Sequence, residues 1–232
     1  MTSAILLDIE GTTTPIDFVH KTLFPYSRER IGDHIASNFS TLTNEIAQLT
    51  IERRGEPDYN LALDVTSPRS VSDYLRYLID DDRKSTVLKS IQGAIWQRGF
   101  EAGELRSEIF DDVPAAFERW RSEGRTVAIY SSGSVLAQKL LFGNTQYGNL
   151  TPFISNYFDT NVGGKRNTES YLAIAEILKL EPAEILFASD IPAELEAASS
   201  AGMAVVLSVR PGNASAEHDD RWRSVTSLSD LP

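Results

Sequence analysis

Two acidic side chains stand directly behind a short apolar run near the start of the chain. Asp8 and Glu10 follow Ala4–Leu7 and border a turn made of Gly11 and three threonines. An aliphatic run that ends in a glycine turn is typical of a buried strand in a parallel sheet, and ligands gather at the carboxyl ends of such strands. Two carboxylates beside backbone N–H groups suit a Mg²⁺-assisted reaction on a phosphate. On this stretch alone, an acid and a threonine that cap the next helix are an equally good interpretation.

Polar residues follow a second apolar run in the same way. Thr126–Tyr130 is rich in β-forming residues and ends in Ser131 and Ser132, just before a helical pattern. Hydroxyl and N–H groups at the start of a helix form a ready binding place for phosphate. This segment therefore favours phosphate chemistry over simple capping near Asp8.

A lysine and a third acid complete the set. Lys165 lies in a glycine-containing turn ahead of a helical pattern over 171–180, and Asp190 follows the apolar run 184–188. A lysine delivers a compact positive charge to a phosphoryl oxygen. We therefore predict four strand-end segments that converge on one phosphate.

This order of acid pair, serines, lysine and acid resembles the haloacid dehalogenase superfamily of phosphotransferases. Three segments narrow the resemblance to the enolase-phosphatases of methionine salvage: DIEGTTTP at 8–15, YSSGS at 130–134 and VRPGNA at 209–214. Glu10 stands where most of the superfamily carry a second Asp. The resemblance implies Mg²⁺-dependent enolisation of 2,3-diketo-5-methylthiopentyl-1-phosphate, followed by loss of phosphate to give the acireductone 1,2-dihydroxy-3-keto-5-methylthiopentene.

The resemblance also implies roles for the candidate residues. Asp8 would ligate Mg²⁺ and attack phosphorus to form an aspartyl-phosphate that water hydrolyses. Glu10 would help to hold Mg²⁺, by side chain or backbone carbonyl, and pass a proton to the leaving oxygen. Lys165 would bind the substrate and neutralise nucleophile and phosphate. The residues alone leave open that Asp8 is only a metal ligand and that Lys165 is merely solvated.

Further residues complete the implied site. Asp190 would be the third metal ligand, with Glu194 as a supporting acid. Ser131 and Ser132 would bind the transferred phosphoryl group and nearby substrate oxygens, with helix capping the alternative for Ser132. The three histidines, His20, His34 and His218, are not spaced as metal ligands. We expect them on the surface or in the segment inserted between the first two strands. His20 lies near the start of that segment, where it could face the substrate.

Composition limits the alternatives. The chain has 22 basic and 33 acidic residues and a net charge of −11 without a basic stripe, which argues against a nucleic-acid partner. The absence of cysteine excludes disulfides, thiolate metal sites and cysteine nucleophiles. No nucleotide P-loop, GxGxxG or GxSxG motif is present. With no signal peptide and no apolar span, we expect a cytoplasmic monomer that acts on a small phosphorylated molecule, away from membranes.

The elements that position these residues form two predicted parts. Far more chain separates Asp8 from Thr126 than a crossover between parallel strands needs, and its apolar residues repeat at helix spacing over 39–54, 71–79 and 87–96. We predict a helical cap over 20–108, which the resemblance also implies. A cap excludes water and completes a site when it closes. A helical subdomain that only adds stability is the alternative.

The remaining chain, 1–19 and 109–232, alternates helical and strand patterns. This alternation predicts an α/β core, a Rossmann-like parallel sheet with helices on both faces, of the haloacid dehalogenase-like kind. We expect the polar tail 211–232 to wrap the surface, with an edge strand over 225–228. Two other functions stay open: a generic sugar-phosphate or nucleotide phosphatase, and a non-catalytic regulatory module on the same fold.

Overall fold

The computed structural model describes residues 2–55, 62–213 and 221–232. The chain divides into two compact units, Met1–Val19 with Arg106–Pro232, and His20–Leu105. The expected cap, 20–108, extends slightly past the second unit. His218 and part of the tail 211–232, which we expect to wrap the surface, lie outside the described residues.

A six-stranded sheet forms the centre of the first unit. All neighbouring strands pair in parallel, in the order β3-β2-β1-β4-β5-β6, so the predicted parallel α/β fold is confirmed. The strands are β1 Ala4–Leu7, β2 Thr126–Tyr130, β3 Asn156–Phe158, β4 Ile185–Ser189, β5 Ala204–Ser208 and β6 Ser224–Val225.

The register places three predicted strand ends side by side. β1 lies between β2 and β4, and Leu7 is opposite both Ile129 and Ala188. Because all three strands run in one direction, the residues that follow them emerge at the same edge of the sheet. The four residues of β1 are fully buried, as expected for a strand covered on both faces.

Helices surround this sheet and form the second unit. Among the described residues the α-helices are α1 Ile16–Phe18, α2 Phe24–Asn38, α3 Thr43–Glu52, α4 Pro68–Asp80, α5 Thr86–Glu101, α6 Val113–Ser122, α7 Val135–Gly143, α8 Thr168–Leu178 and α9 Pro192–Ser200. A π-helical turn, Val19–Leu23, precedes α2. Short 3₁₀ turns lie at Arg53–Gly55, Thr151–Phe153, Pro182–Glu184 and Leu228–Asp230. Of the described helices, none is long and apolar enough to cross a membrane.

Serine caps explain where several helices begin. Ser67, Ser85 and Ser134 precede α4, α5 and α7, and each side-chain oxygen accepts a hydrogen bond from the backbone N–H three residues on. Such a cap satisfies one of the otherwise unpaired N–H groups of the first turn.

Each unit has its own apolar core. In the first unit the sheet packs against α8 and α9 through buried residues that include Leu6, Tyr171, Phe187 and Leu195. In the second unit α2, α4 and α5 share a separate core. Its fully buried members include Ile31, Tyr74 and Leu75. Burial of these apolar side chains stabilises each unit from within.

The end of the chain is fastened to α6. The Arg119 guanidinium donates to the carbonyls of Leu228, Ser229 and Leu231, and Trp120 Nε1 donates to the Pro232 carbonyl at 2.8 Å. The edge strand is shorter than expected and ends at Val225.

The expected strand over 225–228 is interrupted by side-chain hydrogen bonds. The Asp112 carboxylate accepts from the Leu228 N–H at 2.6 Å and from the Ser227 hydroxyl at 2.8 Å. Ser227 Oγ also accepts from the Ser229 N–H. These bonds turn the backbone into a 3₁₀ helix instead of extending the strand.

Candidate active site

The edge of the sheet brings most of the predicted residues together. Asp8 follows β1, Ser131 follows β2, and Asp190 follows β4, which are three adjacent strands. Lys165 comes from the loop between β3 and α8 and reaches the same place. The described geometry therefore connects residues that are far apart in the chain.

Two donors and one shared hydroxyl lie against the Asp8 carboxylate. Its Oδ1 accepts from the Ile9 N–H at 2.7 Å and lies 2.6 Å from Lys165 Nζ. Its Oδ2 accepts from Ser189 Oγ at 3.1 Å. The Asp8 side chain is only 3% exposed, so these contacts rather than solvent determine its orientation.

Lys165 is a buried cation between two carboxylates. Its Nζ lies 2.6 Å from Asp8 Oδ1 and 2.6 Å from Glu194 Oε2, and the side chain is 9% exposed. Burial alone would lower the pKa of Lys165, but the charges of Asp8 and Glu194 outweigh burial and raise it. The ammonium is therefore charged at neutral pH and is not a solvated surface group.

Glu194 lies on α9 with its carboxylate turned inward. Burial, followed by the charge of Asp8, raises the pKa of Glu194, although its contact with Lys165 acts in the opposite direction. Ser189 Oγ lies 2.9 Å from Glu194 Oε2 as well as near Asp8. A hydroxyl carries one proton, so Ser189 can donate to only one of these carboxylates at a time. Ser189 thus links two acids that share Lys165.

Asp190 packs against the glycine of the first turn. A Cβ built on Gly11 would lie 2.3 Å from Asp190 Oδ2, and the φ of Gly11 is +70°. Both facts favour glycine at this position. Burial and the charge of Asp8 raise the pKa of Asp190 to about 7. The Asp190 carboxylate is therefore in electrostatic contact with Asp8.

The turn after Asp8 is tightly wound. The Ile9 carbonyl accepts from the N–H groups of three consecutive threonines at 2.9–3.1 Å, and the Gly11 N–H donates to the Thr14 carbonyl at 2.8 Å. Glu10 forms a short parallel bridge with Thr14. The turn therefore holds the backbone of Glu10 close behind Asp8.

The segment after β2, residues 131–134, is held by hydrogen bonds that involve its own backbone. Ser131 is 1% exposed, its N–H donates to the Phe158 carbonyl, and its Oγ accepts from the Gly133 N–H at 3.1 Å. The helix cap of α7 is Ser134 and not Ser132. Capping therefore does not explain Ser132, which lies half-buried next to Ser131.

Three residues near the end of the chain, which have no role in the sequence analysis, bind the backbone carbonyls of the turn after Asp8. Asn213 Nδ2 and Ser208 Oγ each donate to the Gly11 carbonyl at 3.0 Å. Arg210 Nε donates to the Thr12 carbonyl at 3.0 Å, and Arg210 Nη1 pairs with Asp112 at 2.8 Å. Arg210 and Asn213 lie in the motif 209–214, which was the one available signal for them.

The donor set fits a divalent cation of the Mg²⁺ type. Within the described ranges, no three acidic or histidine side chains form a complete metal cage. Mg²⁺ does not require one, because it is held by one or two carboxylates together with water and substrate phosphate. Asp8 and Glu194 are buried against Lys165, and Asp190 is a half-buried third acid at the same edge of the sheet. Partial burial, and after it the negative charge of Asp8, raise the pKa of Asp190.

Comparison with known proteins adds independent information. A family model described as haloacid dehalogenase-like hydrolase matches residues 2–202. Enolase-phosphatase E1 of Synechococcus elongatus is 48% identical, over 99% of this chain and 97% of that protein. Enolase-phosphatase E1 of Drosophila melanogaster is 44% identical, over 94% of this chain and 87% of that protein. The crystal structure of the UTR4 protein of Saccharomyces cerevisiae aligns with a TM-score of 0.82 at 33% identity, over 100% of both chains.

The close approach of Asp190 to Gly11 leads to a prediction. Gly11→Ala should weaken Mg²⁺ binding at least about tenfold, because the methyl group displaces the Asp190 carboxylate. Isothermal titration calorimetry with MgCl₂ measures the affinity.

Gly124→Ala is the matched control. Gly124 also has a positive φ, +75°, but a Cβ there meets nothing within 4 Å. Both variants should lose about 1–2 kcal/mol of stability from backbone strain. Only Gly11→Ala should lose Mg²⁺ affinity, and parent-like binding by Gly11→Ala would contradict the assignment of Asp190.

Proposed function

The chain belongs to the haloacid dehalogenase-like hydrolase family, and from this premise we propose that it is the enolase-phosphatase of methionine salvage. It converts 2,3-diketo-5-methylthiopentyl-1-phosphate to 1,2-dihydroxy-3-keto-5-methylthiopentene and phosphate. The similarity to proteins named Enolase-phosphatase E1 over nearly the whole chain supports the substrate. The observation that carries the chemistry is the Asp8 carboxylate held against the Lys165 ammonium at 2.6 Å.

Phosphate release uses Asp8 as nucleophile. A carboxylate oxygen of Asp8 attacks phosphorus, the bond from phosphorus to the substrate oxygen breaks, and an aspartyl-phosphate forms. Glu10 supplies a proton to the leaving oxygen. Water then cleaves the acyl phosphate and restores the carboxylate. Lys165 stabilises the charge that develops on the phosphoryl oxygens, and Ser131 and Ser132 bind those oxygens and their neighbours.

A metal ion completes this site in the proposal. Enzymes of this family generally use Mg²⁺. Asp8 and Asp190 would hold the ion with Glu10. When bound, Mg²⁺ supplies positive charge next to the transferred phosphoryl group. The excess of buried acid over lysine at this edge of the sheet supports this assignment.

Enol formation requires that the same site stabilise a second kind of anion. Removal of a proton from the carbon next to a carbonyl places negative charge on the carbonyl oxygen. The fixed Lys165 ammonium suits that charge as well as the phosphoryl charge. Glu10 is our candidate for proton transfer in both half-reactions. We propose the unit His20–Leu105 as the cap that excludes water.

One assay tests the function directly. The enol formed from the diketone phosphate is followed by its ultraviolet absorbance, and phosphate by a colorimetric assay, with and without Mg²⁺. We expect the enol to appear and then decay as phosphate is released, at rates well above those for a panel of sugar phosphates and nucleotides. Equal hydrolysis of all these esters, without an enol, would instead indicate a generic phosphatase.

The first prediction from this mechanism concerns the nucleophile. Asp8→Asn should lower phosphate release about 1000-fold or more, which corresponds to about 4 kcal/mol of barrier, because the amide keeps the shape and loses the nucleophilic charge. Steady-state phosphate release is the measurement, with circular dichroism to verify folding.

Asp33→Asn serves as the control for Asp8→Asn, since Asp33 lies exposed on α2. It should retain the parent rate. Appreciable turnover by well-folded Asp8→Asn would exclude the covalent mechanism.

The second prediction concerns the metal. EDTA should abolish both steps and added Mg²⁺ should restore them. Asp190→Asn should raise the Mg²⁺ concentration for half-maximal activity by about tenfold or more, because one carboxylate ligand is lost. Titration of activity with MgCl₂ gives this value, and turnover that persists in EDTA would rule out the metal assignment.

The third prediction separates length from charge at Glu10. Glu10→Asp keeps the charge but withdraws the carboxylate by one methylene, and a shift of about 1 Å can cost about 100-fold in rate. Glu10→Gln keeps the length and removes the charge, so it should be slower still. If Glu10 serves both half-reactions, enol formation and phosphate release should fall together in both variants. Parent rates in Glu10→Asp would show that the longer side chain has no catalytic purpose.

A further inference from the structure

Three hydroxyl groups hold three consecutive carbonyls of the loop that carries Lys165. Tyr130 Oη donates to the Gly163 carbonyl at 2.9 Å, and Ser170 Oγ donates to the Gly164 carbonyl at 2.9 Å. Tyr171 Oη donates to the carbonyl of Lys165 itself at 2.6 Å. We call these three hydroxyl-bearing residues, Tyr130, Ser170 and Tyr171, the hydroxyl clasp. Its hydrogen bonds hold the backbone carbonyls of Lys165 and of the two residues before it.

Both tyrosines of the clasp are fixed by the core. Tyr130 on β2 and Tyr171 on α8 are 0% exposed, and their rings meet edge to face with centroids 5.5 Å apart. Tyr171 also packs on Phe187 of β4, with centroids 5.1 Å apart. Rings in a close-packed core have little freedom to move. Their hydroxyl groups therefore have fixed positions, and the hydrogen bonds they donate hold the backbone of the loop that carries Lys165.

The loop fits the clasp only with glycine. Gly163 has a φ of +133°, and a Cβ there would lie 2.2 Å from Ser170 Oγ. Glycine lets the backbone come close to Ser170, but a glycine-rich segment has no stiffness of its own. Its precision must come from outside the segment, and the clasp supplies it.

Lys165 needs such support because its ammonium group must stay in one place to contact both carboxylates. The ammonium lies 2.6 Å from both Asp8 and Glu194 and 5.8 Å from the centroid of the Tyr130 ring. A free lysine side chain has up to about 2 kcal/mol of rotamer entropy, and fixing its backbone reduces the space it can explore. A hydroxyl that anchors the carbonyl of Lys165 therefore acts on the site through Lys165.

We propose that Tyr130, Ser170 and Tyr171 are positioning residues, which act through Lys165 by holding the backbone from Gly163 to Lys165 where its ammonium reaches the phosphoryl group. The proposal rests on the proposed function, since it assumes that Lys165 binds the transferred phosphate. None of the three hydroxyls is required to touch the substrate.

Tyr171→Phe is the central test, because it removes one oxygen and keeps the ring in the core. We expect kcat for phosphate release to fall by about tenfold or more, as for a displacement of a fraction of an ångström, with a smaller change in KM. Tyr130→Phe should show the same pattern. It provides a second, independent readout if Tyr171→Phe does not fold.

Tyr157→Phe is the matched control. Tyr157 lies on β3 in the same sheet, and its buried hydroxyl has no hydrogen-bond partner among the described residues. Removal of this hydroxyl should leave kcat at the parent value. A loss of kcat in Tyr157→Phe as large as in Tyr171→Phe would overturn the proposal, because any buried hydroxyl in the sheet would then have the same effect.

Binding of inorganic phosphate separates positioning from general stability. In isothermal titration calorimetry with MgCl₂ present, Tyr171→Phe should bind phosphate several-fold more weakly than the parent. In a Lys165→Ala background, Tyr171→Phe should cause no further loss of phosphate affinity, while its effect on the melting temperature persists. Equal losses in both backgrounds, or parent affinity in Tyr171→Phe, would exclude action through Lys165.

The two readouts distinguish the clasp from the proposed function. If the parent protein releases no phosphate from the diketone phosphate, the proposed function fails, and the phosphate affinities still decide the clasp. If the parent is active and Tyr171→Phe matches it in kcat and phosphate affinity, the clasp fails and the proposed function stands.

Discussion

The site depends on one buried ammonium shared by two carboxylates. Lys165 lies 2.6 Å from Asp8 and 2.6 Å from Glu194. To remove one partner from a buried charge pair costs about 3–5 kcal/mol, because it leaves the other charge without compensation. This interaction gives Asp8 a single orientation and makes Glu194 part of the site. Ser189, Asp190 and the turn after Asp8 are arranged around it.

The sheet order makes this interaction possible. Asp8 follows the central strand β1, and Glu194 lies in the first turn of the helix after the neighbouring strand β4. Lys165 comes from the loop after the edge strand β3. In a parallel sheet these connections all open at the carboxyl edge. Segments that lie more than 150 residues apart in the chain therefore meet there. The Ser189 hydroxyl, for example, contacts Asp8, which is 181 residues earlier in the chain.

Sequence patterns predict the parts of this arrangement that are local. Apolar runs that end in polar residues located β1, β2 and β4 and thus the positions of Asp8, Ser131 and Asp190. β3 carries no such signal because it has only three residues. The sequence of α2 does not predict a helix because it is mostly polar and charged, with few apolar residues at helix spacing. The contributions of Ser189 and Tyr171 also have no signal in the sequence. Their partners are atoms of distant segments, and a lone Ser or Tyr in an apolar pattern carries no signal of such a contact.

The balance of acidic and basic side chains determines which ions the site favours. Arg210 is a second buried cation near the first turn, but Asp112 neutralises it. Burial alone would raise the pKa of Asp112, yet Arg210 and the donors Ser227 and Leu228 together lower it, so this pair is internally balanced. Asp8, Asp190 and Glu194 against one lysine therefore leave the carboxyl edge of the sheet with an excess of negative charge, in a chain of net charge −11. A phosphate approaches such a surface against repulsion. In the proposed mechanism, the excess acid that disfavours the bare phosphate would also attract a divalent cation, so that cation and phosphate would each make the site more favourable for the other.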